Sequence, residues 1–224
     1  MPGSSPPLRT APSPDSGLSP AFQALLTAEP LGELTALDIG TGWGRLALWL
    51  APRCRRVTGV DRDAAAIEDA RRRAAAAGLV NADFDVFDAE AEEYARFTPG
   101  LVAAHLCMSR AIIDRAARAL PPGHVLAFGA LHADQWRETG RRSRFAYDED
   151  QARRELDAAG FAVEHMDVER EVTEFSSVEQ GLAAAIALEE KWRSDGRWFR
   201  YIKFLEEGGR TLTRAHLIVK ARRR

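Results

Sequence analysis

Cysteine is scarce in this chain: its 224 residues include two, Cys54 and Cys107. Two cysteines make no disulfide framework, which argues against a stapled secreted scaffold and for a reducing, cytoplasmic setting. Neither has metal-ligand spacing with another cysteine, so no metal site is expected. Long apolar runs are also missing, and nothing approaches the roughly 18 residues a membrane span needs. The first residues lack the basic-then-apolar pattern of a secretory signal. Charge of one sign is missing too, because the formal net charge is −2. No global field draws such a chain onto nucleic acid or an anionic membrane. Membranes are therefore not an expected partner, nucleic acid is disfavoured, and composition leaves the oligomeric state open.

What is present suits one α/β domain. Hydrophobic residues make up 46% of the chain, enough for a substantial core. Residues 1–17 are rich in Pro, Ser and Gly with no apolar period, and a disordered tail is expected there. Residues 18–224 form the expected domain. A short helix over 18–28 would place Phe22, Leu25 and Leu26 on one face. Strands are then expected at 34–39, 56–60, 83–87, 101–106 and 124–131. Helices at 43–52, 63–77, 89–96, 109–119 and 148–159 alternate with them. That alternation implies a parallel sheet covered on both faces. Further strands are expected over 161–175 and 211–221.

The most informative stretch is Asp38-Ile-Gly40-Thr41-Gly42-Trp-Gly44. An apolar run ends in an acid, and three glycines follow at alternate positions. Glycine is needed where the backbone turns sharply or comes close to a ligand. The helix start just beyond offers unpaired N–H groups. The dinucleotide fingerprint spaces its glycines differently, as G-x-G-x-x-G. A carboxylate at Asp38 would also repel a pyrophosphate and attract an ammonium or sulfonium group, which places NAD last among the readings.

Here the sequence resembles the class I S-adenosylmethionine-dependent methyltransferases, whose first motif is E/D-x-G-x-G-x-G. Two later acids extend the resemblance. Asp61 ends the second apolar run, 21 residues after Gly40, where an acid hydrogen-bonds ribose hydroxyls. Asp88 ends the third, where the family's acid accepts the adenine amino hydrogen and the next residue, Ala89, offers its N–H. The resemblance therefore implies a cofactor site of Asp38, Gly40, Thr41, Gly42, Gly44, Asp61, Arg62, Asp88, Ala89 and Cys107. It implies S-adenosylmethionine as cofactor and S-adenosylhomocysteine as product. It also implies a Rossmann-like, doubly wound sheet of seven strands with the last one antiparallel.

The fourth strand ends Ala104-His105-Leu-Cys107-Met-Ser109. Relatives that methylate base or glutamine amino groups usually carry Asn/Asp-Pro-Pro-Tyr here, so this departure argues against such acceptors. His105 is the expected general base, since imidazole titrates near neutrality. Ser109 and His132 are expected to line the acceptor site.

Between the sixth and seventh strands stand about 35 extra residues, 176–210, read as a helical insertion that could cover the acceptor as a lid. Its stretch 191–203 interleaves Lys191, Arg193, Arg197, Arg200 and Lys203 with aromatics, of which Trp198 and Tyr201 are expected to touch the acceptor. The sequence thus points to methyl transfer to a small-molecule acceptor. RNA or protein methylation, with the insertion as docking surface, is the alternative, and a non-catalytic S-adenosylmethionine-binding module is a third.

Overall fold

A computed structural model describes residues 17–143 and 145–224. Apart from Gly17, the expected tail lies outside the described residues. Ser19 opens α1 (Pro20–Thr27), its Oγ accepting the Phe22 amide at 2.9 Å. The chain then alternates through β1 (Thr35–Ile39), α2 (Arg45–Leu50), β2 (Arg56–Asp61), α3 (Ala64–Ala76) and β3 (Ala82–Val86). It continues through β4 (Leu101–His105), α4 (Arg110–Ala119), β5 (Val125–His132), β6 (Ala146–Tyr147), α5 (Glu149–Ala158) and β7 (Phe161–Glu174). Three helices follow, α6 (Val178–Ala185), α7 (Glu189–Asp195) and α8 (Arg197–Glu206), and β8 (Thr211–Arg223) closes the sheet.

The strands lie in the order β3-β2-β1-β4-β5-β8-β7. All pairs from β3 to β5 are parallel, and β8 runs antiparallel between β5 and β7. This is the expected doubly wound sheet with its last strand reversed. β6 adds a two-residue pairing to β5 that the sequence did not reveal. The order reverses between β1 and β4, and ligands of such sheets bind outside the carboxyl ends at that point.

Alternate residues feed two layers of core, as the period of a strand requires. Leu37, Ile39, Val102, Leu126 and Phe128 cluster with Ile112 and Ile113 of α4 and Leu156 of α5. Ala36, Leu101, Ala103 and Val125 cluster with Phe22, Leu50 and Ile67 of the first three helices. Burial on both faces is why the parallel strands read as unbroken apolar runs.

One expected helix is absent. Residues 89–96 hold only a 3-10 turn, Tyr94–Phe97. The Asp88 carboxylate accepts the Glu90 amide at 2.9 Å, which bends the chain locally. The Tyr94 hydroxyl then donates to the Ala89 carbonyl at 2.7 Å and holds the bend.

The helices α6–α8 leave the sheet where β7 ends, at the carboxyl edge. Their core holds the fully buried Trp192 and Tyr201, with Trp198, Leu205 and Leu212. Trp136, from the loop after β5, joins them and meets Trp192 edge-on at 5.2 Å. Among the described residues, no helix is long and apolar enough to cross a membrane.

Candidate cofactor and acceptor cleft

The glycine turn sits at the end of β1, at the switch point of the sheet. Gly40, Gly42 and Gly44 all have positive φ, at 66°, 52° and 84°. A Cβ on Gly40 would lie 2.4 Å from Cys107 Cβ, so a side chain there is excluded. A Cβ on Gly42 would meet nothing within 4 Å. The space above Gly42 is open, as a ligand's approach requires.

Asp38 does not face that space. It is buried beneath the turn, where Oδ2 accepts the Thr41 hydroxyl at 2.6 Å and the Ala47 amide at 2.9 Å. Burial pushes its carboxyl up to about 7, while those two hydrogen bonds pull it down. Asp38 therefore braces the turn and caps α2 from below. Of the amides at the helix start, that of Ala47 is thereby committed, and the turn closes on itself through Thr41 N to Val60 O and Gly44 N to Thr41 O, both 2.9 Å.

Asp61 reaches across from β2. Its Oδ2 accepts the Gly42 amide at 2.9 Å and its Oδ1 accepts the Asp63 amide at 3.0 Å. Asp63, not Asp61, caps α3, taking the Ala65 and Ala66 amides. That leaves Asp61 at the mouth of the site.

A cleft of about 310 Å³ opens beside these groups. Six of the expected cofactor residues line it: Gly40, Asp61, Arg62, Asp88, Ala89 and Cys107. The other four, Asp38, Thr41, Gly42 and Gly44, build the turn. Three carboxylates border the cleft, Asp61, Asp88 and Glu90, against the single guanidinium of Arg62. The charge argument first placed on Asp38 thus belongs to the cleft. Its acidic border suits a cationic ligand and opposes a pyrophosphate.

Comparison with known proteins agrees with this geometry. Residues 36–123 match the family model described as a methyltransferase domain. Over those residues the chain is similar to a methyltransferase domain. YcgJ protein from Bacillus subtilis has a similar fold, at 17% identity and a TM-score of 0.71, covering 91% of this chain and 98% of that one. An S-adenosylmethionine-dependent methyltransferase from Mesorhizobium loti matches at 20% identity and a TM-score of 0.59, covering 91% and 96%. Among curated proteins, an uncharacterized RNA methyltransferase of Bacillus cereus strain ATCC 10987 is 38% identical over 72 residues, 32% of this chain. That match takes in only 16% of the relative's length.

His105 lies on the cleft wall, at the end of β4. Its ring stacks on Phe22 with centroids 6.1 Å apart. Burial, reinforced by Arg45 and His216, lowers its pKa to about 4. At neutral pH it is an uncharged imidazole and a weak base. Burial raises the Cys107 thiol to about 11, with Asp61 and Asp38 adding to the effect, so Cys107 stays protonated.

The remaining expected acceptor residues lie elsewhere. Ser109 begins α4 with its Oγ buried and unpartnered. His132 is buried after β5, its Nδ1 accepting the Asp134 amide at 3.1 Å and its Nε2 facing Glu149 Oε2 at 3.1 Å. Those contacts tie the loop after β5 to the start of α5. Trp198 and Tyr201 lie in the insertion's own core, and neither lines the cleft. None of residues 176–210 does. The insertion packs on the loop after β5 through Trp136, outside the lining of this cleft.

Val60, Phe87, Glu90, Met108 and Ile112 also line the cleft outside the expected site, and so do the exposed Leu106 and Phe145. Leu106 and Phe145 are large apolar side chains that remain over a third exposed. Leu106 has φ of 61°, a left-handed conformation rare for leucine. It follows β4 directly, and nothing in a tripeptide of His, Leu and Cys signals that conformation.

Proposed function

We propose that this protein transfers the methyl group of S-adenosylmethionine to a small-molecule acceptor. The observation that carries the reading is the acidic cleft at the switch point, with Asp61 bonded to the open glycine turn. When bound, the cofactor supplies a methyl group already activated as a sulfonium. Asp61 would hold its ribose, and the turn at Gly42 would admit its backbone-facing edge. Asp88 and Ala89 would take the base. His105 would contact the acceptor as a neutral imidazole. Positioning and exclusion of water supply most of the rate in such a transfer.

RNA is the second reading, favoured by the names of the curated relatives. The charges of the insertion argue against it. Arg193, Arg197 and Lys203 are paired with Glu189, Asp195 and Glu207. The insertion's six cations stand against six acids, so it presents no net positive charge to a phosphate backbone, whose binding depends on counterion release by such groups.

The test is to incubate the protein with methyl-tritiated S-adenosylmethionine and three separate acceptor pools: small metabolites, total RNA and denatured protein. Label entering the metabolite pool supports the reading. Label entering RNA, lost on raising salt, would replace it with the second.

A further inference from the structure

The cleft is electrically divided. Its carboxylates and Arg62 come from the ends of β2 and β3. The opposite wall comes from the end of β4 and the loop before β6, and holds His105, Leu106, Cys107, Met108 and Phe145. None of these carries charge at neutral pH, since burial keeps His105 unprotonated and Cys107 protonated. Among the described residues, an ionic acceptor entering this half would lose water and gain no countercharge from that wall. The left-handed Leu106 is held by its amide, which donates to the Gly129 carbonyl at 2.6 Å. Glycine would adopt that backbone without strain; leucine in its place puts an isobutyl group on the wall.

Phe145 reaches the wall by a route through the insertion. The loop after β5 first buries Trp136 in the insertion's core. Arg141 then donates to the Asp195 carbonyl, and its own carbonyl accepts from Arg197 Nε at 3.5 Å. Arg142 fixes the far side through the Ala146 carbonyl at 2.9 Å and Asp148 at 3.2 Å.

We propose that the acceptor is an uncharged, planar small molecule packed against Leu106 and Phe145, and that the insertion sets this apolar wall through Arg141. The inference rests on the methyltransferase reading. In the transfer, the acceptor's lone pair forms the bond to the methyl carbon, and the carbon–sulfur pair remains on sulfur. Any proton on the nucleophile leaves to water, because the neutral His105 is too weak a base to keep it. The insertion is then a specificity element acting from outside the cleft, through the loop it grips.

The test begins by titrating S-adenosylhomocysteine into the wild type, Phe145→Ala, Leu106→Gly and Arg141→Ala. All four are expected to bind it within about twofold of one another. Failure of the wild type at this step sinks the methyltransferase reading, and the acceptor proposal with it. Each protein, saturated with S-adenosylhomocysteine, is then titrated with 2-naphthol by fluorescence, with spermidine and glutarate as charged competitors. Saturable binding to wild type is expected, at least tenfold weaker in Phe145→Ala, fivefold in Leu106→Gly and threefold in Arg141→Ala. Leu106→Gly is expected to unfold no earlier than wild type, which separates lost contact from lost fold. Equal 2-naphthol affinity in wild type and Phe145→Ala, absence of 2-naphthol binding, or tighter binding of spermidine or glutarate would overturn the proposal. An unchanged affinity in Arg141→Ala would remove the insertion's part in it.

Discussion

The amide of Gly42 donates to Oδ2 of Asp61 at 2.9 Å, so the glycine turn of one strand is locked to the acid ending the next. Two motifs 19 residues apart in sequence become one structural unit. Removing the carboxylate should therefore hurt the fold as well as the site. Asp61→Ala orphans the Gly42 and Asp63 amides and is expected to cost about 1–3 kcal/mol. Asp61→Asn keeps an acceptor oxygen and should cost less. Urea denaturation of the two variants checks the order, and equal stability would show that the lock carries no load.

Gly40 and Gly42 should fail in different ways. Gly40→Ala drives a Cβ to within 2.4 Å of Cys107 Cβ and 2.5 Å of its Sγ, at φ of 66°. A loss of roughly 1–3 kcal/mol in unfolding free energy is expected. Gly42→Val meets no neighbour within 4 Å and projects into the open approach. It should keep most of its stability beyond the strain of its backbone and lose cofactor binding. Paired thermal denaturation and calorimetry separate the two outcomes.

His105 gives the protein an acid limit. Its folded pKa, about 4, lies below its unfolded value, so the unfolded chain binds the proton first. The stabilisation is complete above about pH 6.5 and is lost as pH falls toward 4, by roughly 3 kcal/mol at pH 4. Substituting His105→Asn should flatten the fall in melting temperature over that interval. A wild-type curve already flat between pH 6.5 and 4 would contradict the assignment.

Trp136 should anchor the insertion without serving the cofactor. It is 8% exposed and packs edge-on against Trp192. Trp136→Ala is expected to cost about 3–5 kcal/mol locally and to open residues 176–210 to proteolysis. S-adenosylhomocysteine affinity should change by less than threefold, because no residue of the insertion lines the cleft directly and the cofactor's half lies on the side of Asp61 and Asp88. Limited digestion followed by titration reads both.

The sheet was legible because β1, β2 and β4 are buried on both faces, and β2 and β4 end in a polar residue at the carboxyl edge, a pattern that survives in one dimension. Asp61 ends β2 and Asp88 follows β3, and both line the cleft at that edge. Asp38 was misplaced because its motif position gives the residue type but not the side-chain direction, and the Thr41 and Ala47 donors below the turn decide that. Trp198 and Tyr201 lie in the insertion's core and not on the cleft; in sequence, aromatics among cations look alike in a binding face and in a small amphipathic core. Here α8 turns them inward and leaves Phe199 and Arg200 outside. Leu106 and Phe145 belong to no periodic pattern, and only the meeting of two loops brings them to the cleft.

The central claim is that the cleft beside Asp61 holds S-adenosylmethionine. The most direct measurement is a calorimetric titration of S-adenosylhomocysteine into wild type and Asp61→Asn, with NAD as a control. Micromolar binding to wild type, at least tenfold weaker in Asp61→Asn and absent for NAD, is the predicted result. No binding at millimolar ligand, or equal affinity in the two proteins, would contradict the account.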